Sequence, residues 1–342
     1  MTVLTLPAQP GQDAVAGLRP VPWRRMIWVT WRQHRATVIT LPALLGGIGV
    51  FLLFTGLKVH HDYAVLTACH PFSSTICQNL NTTFNRTDWV IGNVLSILMN
   101  LTPVLLGAFA GAPVLARELE TGTYRYAWTQ GIGRERWTIA KLALLAVVVV
   151  AVTAAFSELF SWFFAPFIPQ EDLTVYTATV FGSRPVAFAA WTLAAFTMSA
   201  FFGMLLRRII PAMAVTLGVY LGLVLLVWDV RKFYPLSLVS SNLSISFGRI
   251  TPGDPWVVSQ WFTGRGGQPV SQYVVNRVVA HSQIAGPRQL ARVLTEHGYT
   301  AWTRYIPVSR FWPMQFVEAG WLLVLSALLV AATVWLVRRR AA

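Results

Sequence analysis

Charge is scarce in this sequence: 12% of its 342 residues are Asp, Glu, Lys or Arg, where a soluble domain carries about a quarter. With 55% hydrophobic residues and a mean hydropathy of +0.55, most of the chain cannot face water. Acidic residues are the scarcer sign, 13 against 27 basic ones. In a soluble protein the net charge of +14 would suggest nucleic acid; here much of the Lys and Arg flanks apolar segments, which suits anionic headgroups and excludes a nucleic-acid partner. The first twenty residues are polar or punctuated by Pro and Gly and lack an apolar h-region, so they do not read as a cleavable signal peptide. A Gly-x-x-x-x-Gly-Lys-Ser/Thr phosphate loop is also missing, and Gly264-Arg265-Gly266-Gly267 has no strand-to-helix setting around it. Nucleotide binding by this chain is thereby excluded.

What is present is a set of long apolar runs. A helix rises 1.5 Å per residue and a bilayer core is about 30 Å thick, so a crossing takes about 20 apolar residues. Six segments qualify: 36–57, 90–115, 142–167, 185–206, 209–228 and 313–337. Glu158 and Glu318 are the only charges within them. The predicted fold is an all-α polytopic membrane protein with six transmembrane helices, an N-terminal interfacial helix and a long outer segment between spans five and six. The chain divides into 1–35, a cytoplasmic segment; 36–230, spans one to five; 231–312, an extracytoplasmic segment; and 313–342, the sixth span and a cytoplasmic C-terminus. This orientation places Arg19 to Arg35, Arg117 to Lys141, Arg207, Arg208 and Arg338 to Arg340 inside, and leaves only Lys58, Arg86 and Arg184 on the two short outer loops. The nine basic residues of the last outer segment lie in a loop long enough to escape that rule.

Trp23, Ile27 and Trp31 recur every four residues among Arg24, Arg25, Arg32 and Arg35. That spacing predicts a separate helix lying on the inner leaflet, because Arg inside hydrocarbon is costly; the plainer reading is the first turns of a longer first span. Gly107 with Gly111, and Gly218 with Gly222, each form a Gly-x-x-x-Gly face for close helix approach. Pro103 and Pro113 predict kinks in the second span. Asn93, Ser96 and Asn100 share one stripe of that span and read as polar glue between helices.

The inner loop after the second span is too amphipathic for a linker. Glu118 and Arg125 flank a break at Gly122, Tyr124, Tyr126 and Trp128 supply aromatic contact area, and Gly131 with Gly133 supplies a turn. A short helix pressed against a partner, charged at its rim, has this composition. Here the sequence resembles the type-2 ABC transporter permease family, in which an acidic cluster, a Gly-Thr pair, a turn, an Arg and a Lys lead into the third span. Those elements stand as Arg117-Glu118-Leu119-Glu120, Gly122-Thr123, Gly131 to Gly133, Arg134 and Lys141. One departure is Gly131-Ile132-Gly133, where the family commonly has Pro and a small residue before the Arg. The resemblance implies a coupling helix within 116–141 that docks on a separate ABC ATPase. Arg117, Glu118, Glu120, Gly122, Thr123, Tyr124, Arg125 and Arg134 would form the docking surface. It also implies ATP and magnesium in that partner rather than here, a second permease copy or a paralogue, and export of an amphipathic peptide, antibiotic or lipid across the cell membrane.

Other candidates for chemistry are few. Cys69 and Cys77, the only cysteines, lie on one short outer loop, and a disulfide explains them better than a metal or nucleophilic role. Leu66-Thr67-Ala68-Cys69 resembles a lipoprotein box but is separated from the apolar run by Lys58 to Tyr63. His60, His61, Asp62 and His70 match no metal-ligand spacing and read as solvated loop residues. Glu158 lies about 25 Å along the helix from Lys141, so Glu158, Asp229 and Glu318 all fall in the outer half. They form either an outer gate or headgroup contacts. In the outer segment, Pro at the first turn and Gly298 past the end predict a helix from Pro287 to His297, part of a cap or vestibule. An intramembrane enzyme would need convergent acid, base or metal groups, and a scaffold or immunity protein would need no coupling loop; both are the alternatives to a transport subunit.

Overall fold

The computed structural model describes residues 22–122, 133–170, 173–234, 237–240, 255–280 and 287–340. Six helices in it are long and apolar enough to cross a membrane. They are α1 (Trp23–Ala68), α3 (Trp89–Thr121), α4 (Arg134–Phe164), α6 (Pro185–Leu206), α7 (Ile209–Val230) and α10 (Phe311–Arg340). Shorter helices α2 (Thr75–Thr83) and α5 (Ala178–Gly182) precede the second and fourth spans, and a π-helical turn, Phe84–Asp88, joins α2 to α3. The chain is a polytopic α-helical membrane protein.

The first span corrects one expectation. No break separates Trp23–Arg35 from the apolar run: α1 is one 46-residue helix, about 69 Å long, so the separate interfacial helix is replaced by the basic first turns of a long span. Neither Gly nor Pro occurs between Trp23 and Arg35, so nothing in the backbone interrupts propagation. Pro42, Pro103 and Pro113 all sit inside continuous helices.

The helix α6 is the hub, packing on α3, α10, α4 and α7. Its small buried residues, among them Ala187, Ala194, Ala195, Ser199 and Gly203, let four neighbours approach it. The α3–α6 seam is the tightest. A Cβ on Gly107 would lie 2.4 Å from Ala195 Cβ and 2.7 Å from backbone, and one on Gly111 would lie 2.4 Å from the Phe196 carbonyl oxygen. Between them Ser199 Oγ donates to the Ala108 carbonyl at 3.1 Å. The similar pair Gly218 and Gly222 on α7 meets nothing within 4 Å, so identical spacing marks a packed face in one span and an open face in another.

The segment before the sixth span adds what the sequence reading did not anticipate, a small antiparallel sheet. Strands β1 (Leu238–Ser240), β2 (Trp256–Thr263), β3 (Pro269–Val270) and β4 (Thr300–Ile306) pair in the order β1-β4-β2-β3. Helices α8 (Gln272–Ala280) and α9 (Pro287–Glu296) bring Val275, Leu290 and Leu294 against Phe262 and Ala301. Past the end of α9, Gly298 takes a left-handed φ of 74°, as expected of a residue following a helix C-terminus. Tyr176 fastens the sheet to the bundle: its ring stacks on Trp256 with centroids 5.8 Å apart, and its hydroxyl donates to the Pro307 carbonyl at 2.7 Å. Burial pushes that phenol up to about 12.

Candidate coupling site and buried ion pairs

At the arginine-rich end of the bundle, α3 stops at Gly122, whose φ of 71° places it in the left-handed region open to glycine. The last turn of α3 projects its charges in different directions. Arg117 is exposed. Glu118 turns inward and pairs with Lys141 of α4. Lys141 is fully buried, and its Nζ lies 3.8 Å from the centre of the Trp137 ring. Glu120 reaches sideways and accepts the backbone N–H of Ile209 at 2.9 Å. That contact places a carboxylate on the first free N–H of α7, where a helix dipole favours negative charge. Three spans thus meet at the root of the loop predicted to dock a partner.

The remaining predicted docking residues divide. Arg134 opens α4, half-buried, and its carbonyl accepts from Thr138 Oγ1 at 2.9 Å. Thr123, Tyr124 and Arg125 lie outside the described residues. His34 of α1 comes close enough to Lys141 and Arg117 to feel both cations. Its Nε2 and Glu118 Oε2 are buried without a hydrogen-bond partner among the described residues.

The opposite end holds a second buried pair, which sequence reading missed. Arg231, just past α7, grips Glu318 of α10 through Nε to Oε2 at 2.9 Å and Nη2 to Oε1 at 2.8 Å. Trp191 Nε1 of α6 adds a bond to Oε1 at 2.7 Å, and the guanidinium lies 4.2 Å from the Phe181 ring centre. One turn away, Gln315 accepts from the Ala187 N–H at 3.1 Å and donates to the Phe181 carbonyl at 2.8 Å. Spans four, five and six are thereby joined around one carboxylate. The available signal was a lone Glu in an apolar span, which calls for a cationic partner.

Glu158 and Asp229 are exposed, and among the described residues no hydrogen bond or ion pair connects them to Glu318. Glu158 acts electrostatically on Arg184, whose guanidinium burial lowers from its ordinary value. Beside Arg231, a cavity of about 220 Å³ is lined by Asn100, Trp191, Tyr220 and Trp228 among others. Asn93, Ser96 and Asn100 largely bond within their own helix, Ser96 Oγ to the Asn93 carbonyl and Asn100 Nδ2 to the Ser96 carbonyl, both at 2.8 Å.

Cys69 and Cys77 are joined in a disulfide, their Cα atoms 5.7 Å apart. His60 stacks on Trp162 at 4.7 Å and bonds its carbonyl at 3.0 Å, Asp62 pairs with Lys58 at 2.6 Å, and His70 packs edge-on against Phe72. Lys58 also reaches the buried Asp88 at 2.8 Å, tying α1 to the π-turn before α3. Among the described residues no group of three His, Cys, Asp or Glu side chains is arranged to hold a metal.

No curated protein and no solved structure matches the chain. A family model does match, over residues 42–231, a stretch that takes in the α3–α6 seam, the Glu118–Lys141 pair, the latter part of α1 and the four spans after it. On that match, which covers more than half of its length, the chain belongs to the family described as ABC-2 membrane transporter related.

Proposed function

We propose that this chain is the permease subunit of an ATP-driven exporter, moved by an ABC ATPase carried on a separate polypeptide. Family membership makes it a membrane transport subunit rather than an enzyme. The observation that supports coupling is the root of the loop at 122–134. On one side Glu118 holds α3 to α4, and on the other Glu120 holds α3 to α7. A push on that loop reaches three spans through these two charged contacts at its root.

In this reading the arginine-rich end, with both termini, faces the cytoplasm of a cell membrane, and the disulfide and the sheet lie outside. ATP and magnesium bind the partner ATPase, and a second permease copy or a paralogue completes the pathway. The cargo is amphipathic, a peptide, an antibiotic or a lipid. Glu158, Asp229 and Glu318 mark the outer gate, supported by their common position at the end remote from Arg117. Affinity-tagged chain purified from native membranes in mild detergent tests the proposal. ATP hydrolysis in the eluate, abolished by vanadate, is the expected result, since this sequence has no phosphate loop of its own. Folded chain eluting without any ATPase would contradict it.

A further inference from the structure

Spans three, four and six leave an open groove of about 690 Å³ between α4 and α10, with α6 as its floor, within the range of about 300–1,000 Å³ typical of ligand sites. Buried Phe196 and Thr197 of α6 and Ser326 of α10 line its base. Both hydroxyls are spent within their own helices, Thr197 on the Leu193 carbonyl at 3.1 Å and Ser326 on the Leu322 carbonyl at 2.8 Å, so the interior is apolar in effect. Ala143 and Ala146 form one wall and Ala331 and Trp335 the other, and these small alanines are what keep the groove open. Its α10 lining runs from Leu323 to Arg338, about 22 Å of helix, more than half of a roughly 30 Å hydrocarbon core.

One end of the groove is cationic. Arg338 lines the mouth and bridges to Glu135, while Arg339 lies 4.5 Å from the centre of the Trp335 ring. Glu135 is flanked in sequence by Arg134 and Arg136 at the start of α4, and the guanidinium that reaches it is that of Arg338. Arg338 gives Nη2 to Glu135 and has further N–H donors on the same fork.

We propose that this groove seats one acyl chain of an anionic phospholipid from the leaflet at the arginine-rich end, with its phosphate on Arg338. An apolar slot one leaflet deep, ending in guanidinium groups at headgroup depth, matches both halves of such a lipid. A second copy of the chain fits less well, because a two-fold axis through the groove would set two arginine-rich mouths against each other. A second apolar groove, about 530 Å³ between α1 and α4, has no charged lining residue, and the same argument does not extend to it.

Native mass spectrometry of the full chain, loaded from mixed micelles with equal phosphatidylglycerol and phosphatidylcholine, tests this. Wild type should retain phosphatidylglycerol over phosphatidylcholine. Arg338→Gln should lower that retention about fivefold, the effect of one basic side chain at an anionic surface. Glu135→Gln breaks the same ion pair but keeps the cation, and should not lower it. Ala331→Phe fills the slot at an exposed position and should lower retention of both lipids. Equal retention of the two lipids by wild type, or retention unchanged in Arg338→Gln and Ala331→Phe, overturns the proposal. So does an Ala331→Cys variant that cross-links into a dimer in the membrane, which would place a second copy in the groove.

Discussion

Lys141 carries its charge into the third span and lays it on Glu118, the residue three positions before the end of the second. A buried pair contributes little to stability over an apolar isostere, yet removing one partner strands the other. Lys141→Met and Glu118→Gln should each destabilise the protein by about 3 kcal/mol, the low end for a buried pair because Glu118 keeps some solvent contact. The double substitution should recover most of that loss. Thermal unfolding in detergent across this cycle is the check, and additive losses would mean that the two side chains do not act as a pair.

The two glycine pairs make opposite predictions. Gly111→Leu would drive a side chain into the Phe196 backbone, costing at least about 3 kcal/mol of overpacking. The variant should fail to yield monodisperse protein. Gly218→Leu meets open space and should purify like wild type. Size-exclusion profiles of the two variants, compared side by side, decide it.

At the other end, Arg231→Met leaves the Glu318 carboxylate buried and unpaired, with an expected cost of about 3–5 kcal/mol. Trp191→Phe removes one bond to a charged group and should cost about 1.5–3 kcal/mol. Glu158→Gln should leave stability unchanged, since that side chain is exposed. Unfolding temperatures that rank Arg231→Met as the mildest of the three would refute the network.

The disulfide reports sidedness. Its closed loop is short, and a loop-entropy estimate gives about 2.5 kcal/mol for the bridge. In intact cells a membrane-impermeant reductant followed by a bulky maleimide should label Cys69 and Cys77. Labelling only after the membrane is opened would invert the proposed orientation.

The six spans were legible because about twenty uncharged residues admit one main reading, and helix ends were legible where Pro185 or Gly298 marked them. The separate interfacial helix was misjudged because Trp and Arg spacing specifies a preferred depth, whereas helix continuity is a backbone property, and no breaker lies between Trp23 and Arg35. Both buried pairs escaped detection for another reason. Glu118 to Lys141 and Arg231 to Glu318 are contacts across spans, and sequence gives the need of a buried charge for a partner but not its address. The sheet was missed although Trp256–Thr263 and Thr300–Ile306 are rich in β-branched and aromatic residues. Its other two strands are three and two residues long and carry almost no pattern.

The central claim is that the surface at 117–134 docks an ATPase. Since Glu118 is committed to Lys141 and Glu120 to Ile209, the informative variant reverses two other charges of the predicted docking set instead, exposed Arg117→Glu together with Arg125→Glu. Purification of tagged wild type and variant from native membranes, followed by identification of bound proteins, is the most direct measurement. The account predicts an ABC ATPase subunit with the wild type and its loss from an equally stable variant. An ATPase retained undiminished by the variant, or absent from both, would contradict it.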